Sequence, residues 1–177
     1  MPTVETMLQD MVIGDPKAPV TIIEYASLGC PHCKAFHTET LPQIKKKYID
    51  TGKVKMIFRD FPLGTPALAA SMVARCSGPA RYFGMLEILF RDQIIWSHGQ
   101  NVLGSLQASA KKGGMSGTQV SECLRLEPLM IGIRRIAEEA QKNHGVNSTP
   151  SFVIQGETIA GALPFGEFSA IIDRALK

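Results

Sequence analysis

Residues Val20-Thr21-Ile22-Ile23-Glu24-Tyr25 form a short run of β-branched and aromatic types between Pro19 and Gly29, the pattern of a strand. From Pro31 to Ile49 the apolar positions recur at helical spacing, with Phe36, Leu41, Ile44 and Tyr48 on one side. Pro31 suits a first helical position, where its missing N–H has no partner to lose. Pro42, inside the same stretch, predicts a kink. Thr51-Gly52 closes the helix, and Val54 to Phe61 alternates as a strand does.

The pattern then changes to helices. Ala67 to Arg75, Ala80 to Phe90, Leu103 to Lys112, Thr118 to Leu124 and Arg134 to Asn143 each read as helical, with Gly113-Gly114 as an interruption. Glu138 and Lys142 add a supportive i,i+4 pair to the last of these. After Pro150 the chain returns to strand at Ser151 to Ile154, turns at Gln155-Gly156, and continues as strand from Thr158 to Ala160. Phe165 to Leu176 reads as a final helix. The order is βαβ, a helical block, then ββα. It predicts an α/β fold: a mixed β-sheet flanked by helices, formed by residues 1–64 and 145–177, with an all-helical domain inserted at 65–144.

Composition narrows the class. The chain has 177 residues, 45% hydrophobic and 20% charged, which excludes a disordered chain and a collagen. A net charge of +3 is too mild to make nucleic acid the main partner. Lys45-Lys46-Lys47 reads as a solvated face near a helix C-terminus, where cations are favoured. No run is long enough to span a membrane. The N-terminal MPTVETMLQD has neither the basic segment nor the apolar core of an export signal. That is expected of a cytosolic protein, or of a mature form whose signal has been replaced by a start Met.

The four cysteines are too few for a disulfide scaffold. Cys30-Pro31-His32-Cys33 follows a strand directly and opens a helix. At a helix start, unpaired N–H groups and the positive end of the dipole both stabilise a thiolate, and His32 can add charge or a hydrogen bond. Two cysteines three apart can also bond to each other with little rearrangement. The competing reading is half of a zinc site, to which His37 could contribute. It lacks a second CxxC, CxxH or HxxxH. Cys76 and Cys123, 47 positions apart, read either as two buried thiols or as a structural disulfide. His98 and His144 read as surface or helix-end residues and Trp96 as core.

The strand VTIIEYAS, the tetrapeptide Cys-Pro-His-Cys, the helical insertion and the late Ser-Thr-Pro-Ser-Phe-Val-Ile segment together resemble the bacterial DsbA-like thiol–disulfide oxidoreductases of the thioredoxin superfamily. The resemblance covers roughly Pro19 to Lys177. It implies a thioredoxin fold with an inserted helical domain, a monomer without cofactor or metal, and a periplasmic address. It also implies donation of disulfides to reduced, unfolded or partly folded exported proteins, and reoxidation by a quinone-linked membrane partner. Cys30 would be the exposed nucleophile that forms the mixed disulfide, and Cys33 the more buried partner that closes the ring. Pro150 would match the family's cis-proline, leaving the backbone of Thr149 free to pair with substrate. Glu24 resembles the family's acidic residue beneath the active site, where a buried carboxylate exchanges a proton with Cys33; a solvent-facing residue on a half-exposed strand is the other reading. A second cysteine pair in shorter family members favours a Cys76–Cys123 disulfide. The same residues would also serve a reductase or an isomerase, and a metal-binding module or a non-catalytic interaction domain are the remaining classes.

Overall fold

In the computed structural model, which describes residues 1–177, strand β2 (Val20–Ala26) buries Val20, Ile22 and Glu24, and β3 (Val54–Asp60) buries Val54, Met56, Phe58 and Asp60. This alternation gives β3 and the first part of β2 one inward face, while Tyr25 and Ala26 make the end of β2 buried on both faces. The other strands are β1 (Met11–Ile13), β4 (Ser151–Ile154) and β5 (Glu157–Ala160). Together they make a five-stranded sheet in the order β1-β3-β2-β4-β5. β1 runs antiparallel to β3, and β4 runs antiparallel to both β2 and β5, with Glu24 opposite Phe152. The helical stretch 31–49 joins the neighbours β2 and β3, which is the crossover that parallel strands require. Three-residue β1 was not expected, because its pattern is too short to alternate visibly.

That stretch is not a uniform α-helix. Helix α2 (Pro31–Ala35) runs into a π-helical turn at Phe36–Thr40, then α3 (Leu41–Ile44) and a second π turn at Lys45–Ile49. Pro42 is the cause of the first. In an α-helix its ring would strike the carbonyl four residues back, and it has no N–H to bond there. The Leu41 N–H bonds instead to the Phe36 carbonyl, five residues away, and the widened turn accommodates the ring. Phe36, Ile44, Tyr48 and Ile49 are buried against Val20, Ile22, Val54, Met56 and Phe152. Phe168 and Ile172 of α10 (Phe165–Ala175) join the same core. The Phe36 and Phe168 rings lie 4.7 Å and 4.8 Å from that of Phe152.

The chain divides into two compact units. One comprises Asp10–Ala26, Cys30–Arg59 and Glu138–Lys177 and holds the sheet; the other comprises Met1–Gln9, Ser27–Gly29 and Asp60–Ala137. The second unit contains α1 (Val4–Met7), α4 (Thr65–Cys76), α5 (Tyr82–Arg91), α6 (Gln93–His98), α7 (Val102–Lys112) and α8 (Gly117–Cys123). Helix α9 (Glu127–His144) begins there and starts seven residues before the expected Arg134, with Pro128 tolerated in its first turn. Within the helical unit Arg75 is fully buried. It pairs with Asp60 and donates to the carbonyls of Met7 and Gln9, fixing the N-terminal segment, which no local pattern predicted. Trp96 is core, as expected, with its indole N–H donating to the Leu89 carbonyl at 2.8 Å.

Cys76 and Cys123 are joined by a disulfide across 47 positions. A loop of that length stabilises the fold by about 4 kcal/mol in the loop-entropy treatment. We expect the double variant Cys76→Ala/Cys123→Ala to lose about 2–4 kcal/mol in urea unfolding. An unchanged midpoint would mean that the bond braces nothing.

Candidate active site

The two cysteines of the tetrapeptide are present as thiols and occupy the end of the helix that follows β2. Cys30 is the N-cap of α2, with extended backbone angles and a side chain that accepts from the Cys33 N–H at 3.3 Å. An N-cap is normally an oxygen-bearing side chain; here sulfur takes that place. Pro31 occupies the first turn, and the Cys30 carbonyl already accepts the Lys34 N–H. Cys33 is fully buried and Cys30 nearly so, at 8% exposure. Cys30 is therefore not the exposed thiol that was expected, although it is the less buried of the two.

The Cys30 thiol is held far below its ordinary value of 9.0, at about 5. The largest cause is hydrogen bonding from the Cys33 side chain; burial opposes it, and the Thr149 side chain and the N–H groups of Cys33 and His32 lower it further. His32 thus acts on the sulfur through its main chain, while its imidazole is exposed. Thr149 faces Cys30 with two groups. Its carbonyl accepts from the Cys30 thiol at 3.6 Å, and its hydroxyl oxygen is buried without a partner in this state. Loss of the thiol proton removes the donor to the carbonyl and creates an acceptor for the hydroxyl. The Thr149–Pro150 peptide bond is cis, and Pro150 is buried with its carbonyl accepting the Gly161 N–H.

Glu24 is fully buried on β2, which settles its orientation against the solvent-facing reading. Its Oε2 lies 2.8 Å from His37 Nε2, and its Oε1 has no hydrogen-bond partner. The His37 side chain, 9% exposed, stands edge-on to Phe36 at 5.5 Å and to Phe58 at 5.6 Å. Sequence reasoning weighed His37 only as a possible further zinc ligand and missed this pair. The two residues are 13 positions apart on different elements, and only the crossing of helix over strand joins them. Glu24, Cys30, Cys33, His37, Thr149 and Pro150 all belong to the sheet-containing unit, and Cys76 and Cys123 to the other.

The three residues leading into Cys30 are fixed within the helical unit. Ser27 Oγ accepts the N–H groups of Gly29 and Leu63, and the Gln93 amide donates to the Leu28 carbonyl at 2.7 Å. Gly29 lies so close to Ala67 that a Cβ would come within 3.3 Å of its methyl group.

A sequence model of the thioredoxin family matches residues 6–174. The crystal structure of Wolbachia pipientis alpha-DsbA1 superposes with a TM-score of 0.88 at 32% identity, covering 95% of this chain and 91% of that one. The chain belongs to the DsbA-like thiol–disulfide oxidoreductases of the thioredoxin family. A Rickettsia conorii protein, named by inference as a protein-disulfide oxidoreductase, is 32% identical over 172 residues; the match takes in 95% of this chain and 61% of that protein's length. The chain therefore spans less than two thirds of that relative. Disulfide bond formation protein D of Bacillus subtilis is 27% identical over 174 residues, with 94% of this chain and 77% of that protein covered. In this DsbA-like chain no helix is long and apolar enough to cross a membrane.

The thiol geometry makes a direct expectation. Alkylation of Cys30 should be half-maximal near pH 5, read by iodoacetamide trapping across pH. Thr149→Val should move that midpoint upward, since it deletes one of the groups that favour the thiolate. A wild-type midpoint above pH 8 would contradict the arrangement described.

Proposed function

We propose that this DsbA-like protein is a dithiol oxidase that gives the Cys30–Cys33 disulfide to reduced exported proteins. The observation that carries the reading is the Cys30 sulfur in the N-cap position, bonded to the Cys33 N–H with its thiol lowered to about 5. A substrate thiolate attacks Cys30 sulfur, the Cys30–Cys33 bond breaks, and Cys33 leaves and takes up a proton. A second substrate thiolate then attacks the substrate sulfur of the mixed disulfide and releases the Cys30 thiolate. A low-pKa thiol leaves quickly, which favours flow of the disulfide outward. The Thr149–Pro150 segment beside Cys30 is the proposed backbone contact for the substrate chain, and Glu24 the proposed group that supplies a proton to Cys33 as it leaves and takes one back on reoxidation. The Cys76–Cys123 disulfide supports an oxidising compartment, and with the family resemblance a periplasmic one. The substrates we assign are unfolded or partly folded chains, met by a monomer and followed by reoxidation through a quinone-linked membrane partner.

The depressed thiol sets how stability follows pH. In the reduced protein the folded value of about 5 lies below the ordinary 9.0, so thiolate stabilisation is full above about pH 9. It declines as pH falls and is gone below about 5. The oxidised protein has no such group. We expect the reduced form to melt above the oxidised form at neutral pH, with the gap narrowing toward pH 5, in paired thermal scans. A higher-melting oxidised form would point to a reductase.

Variants separate the two sulfurs. Cys30→Ser should abolish oxidation of a reduced test protein, whereas Cys33→Ser should accumulate mixed disulfides visible by mass spectrometry. Disulfide transfer surviving in Cys30→Ser would overturn the assignment of the nucleophile.

A further inference from the structure

We propose that His37 is a positioning residue for proton transfer at Cys33: its Nε2–H holds Glu24 Oε2 and leaves Oε1 to carry the proton. The proposal rests on the oxidase reading of Cys30 and Cys33 and names a residue that reading does not use. Glu24 is fully buried, and its Oε1 accepts no hydrogen bond. A buried carboxylate oxygen needs a hydrogen-bond donor, and Oε1 has none. The 2.8 Å contact from His37 gives Oε2 the donor that Oε1 lacks.

The surroundings confine the ring. Phe58 of β3 and Phe36 stand against it edge-on, and β4 places Phe152 opposite Glu24. Among inward-facing residues of β3 only Asp60 is charged, and Arg75 holds it. On the helix, Cys33 lies four residues before His37, the spacing that places two side chains on one face a turn apart. The titratable groups in play are Cys30 and Cys33 at the start of this helix and the Glu24–His37 pair between helix and strand. In the reoxidation direction the Cys33 thiol passes its proton to Glu24 Oε1. The Cys33 thiolate then attacks Cys30 sulfur, the bond to the outgoing sulfur breaks, and that sulfur leaves as a thiolate, which accepts the proton from solvent after Glu24 releases it.

The test uses the reduced full chain mixed with oxidised glutathione. The first thiolate exchange places glutathione on Cys30, and the second releases it when Cys33 attacks; the rate of that second release is followed against pH. Glu24→Gln should slow it about tenfold near neutral pH and flatten its pH dependence. His37→Phe, which fills the same space between the two phenylalanines, should slow it by a similar factor and move the pH midpoint up by more than about one unit. His37→Gln, which keeps a side-chain N–H, should restore most of the rate. Adding His37→Phe to Glu24→Gln should slow the step no further. If His37→Phe does not fold, His37→Leu is read in its place. Rate and midpoint unchanged in the Glu24 and apolar His37 variants would overturn the proposal, as would a His37→Gln variant no better than His37→Phe or additive effects in the double variant. Failure of the wild type to release the second glutathione would instead remove the oxidase reading itself.

Discussion

A sulfur atom capping a helix is the interaction on which the rest of this molecule depends. The first N–H groups of any helix lack partners inside it, and the positive end of the helix dipole lies among them. Placing Cys30 where Ser or Asp would ordinarily sit turns that general shortage into a thiolate site. Everything nearby serves to keep the site in register. Pro31 starts the helix without adding a donor, β2 aims the chain at the turn, and Ser27 and Gln93 fix the residues that lead into it. The position would be worth little if Cys30 were free to swing away, and its contacts to Cys33 and Thr149 prevent that.

The helix behind the cap is shaped by a second constraint, the imino ring of Pro42. An uninterrupted α-helix cannot hold it, and the π turn from Phe36 to Thr40 is how the backbone absorbs it without losing the buried side. That turn begins next to His37 and carries Phe36, whose ring packs on Phe152 and Phe168. The irregularity and the polar pair under the active site therefore occupy the same few residues. A straight amphipathic helix would explain the core contacts; only the observed course also accounts for how Pro42 is housed.

The strands β2 and β3 and the strand-to-helix placement of Cys30 were legible because each rests on residues adjacent in sequence. Alternation in Val54 to Asp60, the β-branched run from Val20 and the Pro31 start are all short-range signals. What escaped depends on distance. Strand β1 has three residues and acquires meaning only from β3; the Arg75–Asp60 pair and its grip on Met7 and Gln9 join three separated segments. Glu24 could be singled out as a carboxylate in an apolar strand, but its partner could not, since nothing in the residues around His37 marks the ring as buried. Pro42 predicts a disturbance, while the π turn that absorbs it is visible only in the backbone hydrogen bonding.

Four cysteines allow three pairings. The division of the chain agrees with the one that the close spacing of Cys30 and Cys33 favours. Cys30 and Cys33 are the cysteines of the sheet-containing unit, and Cys76 and Cys123 are those of the helical unit. The Cys76–Cys123 bond therefore closes within one compact body, and Cys30 and Cys33 stand as thiols within the other. Brace and reactive pair are thus divided along the same line that divides the chain.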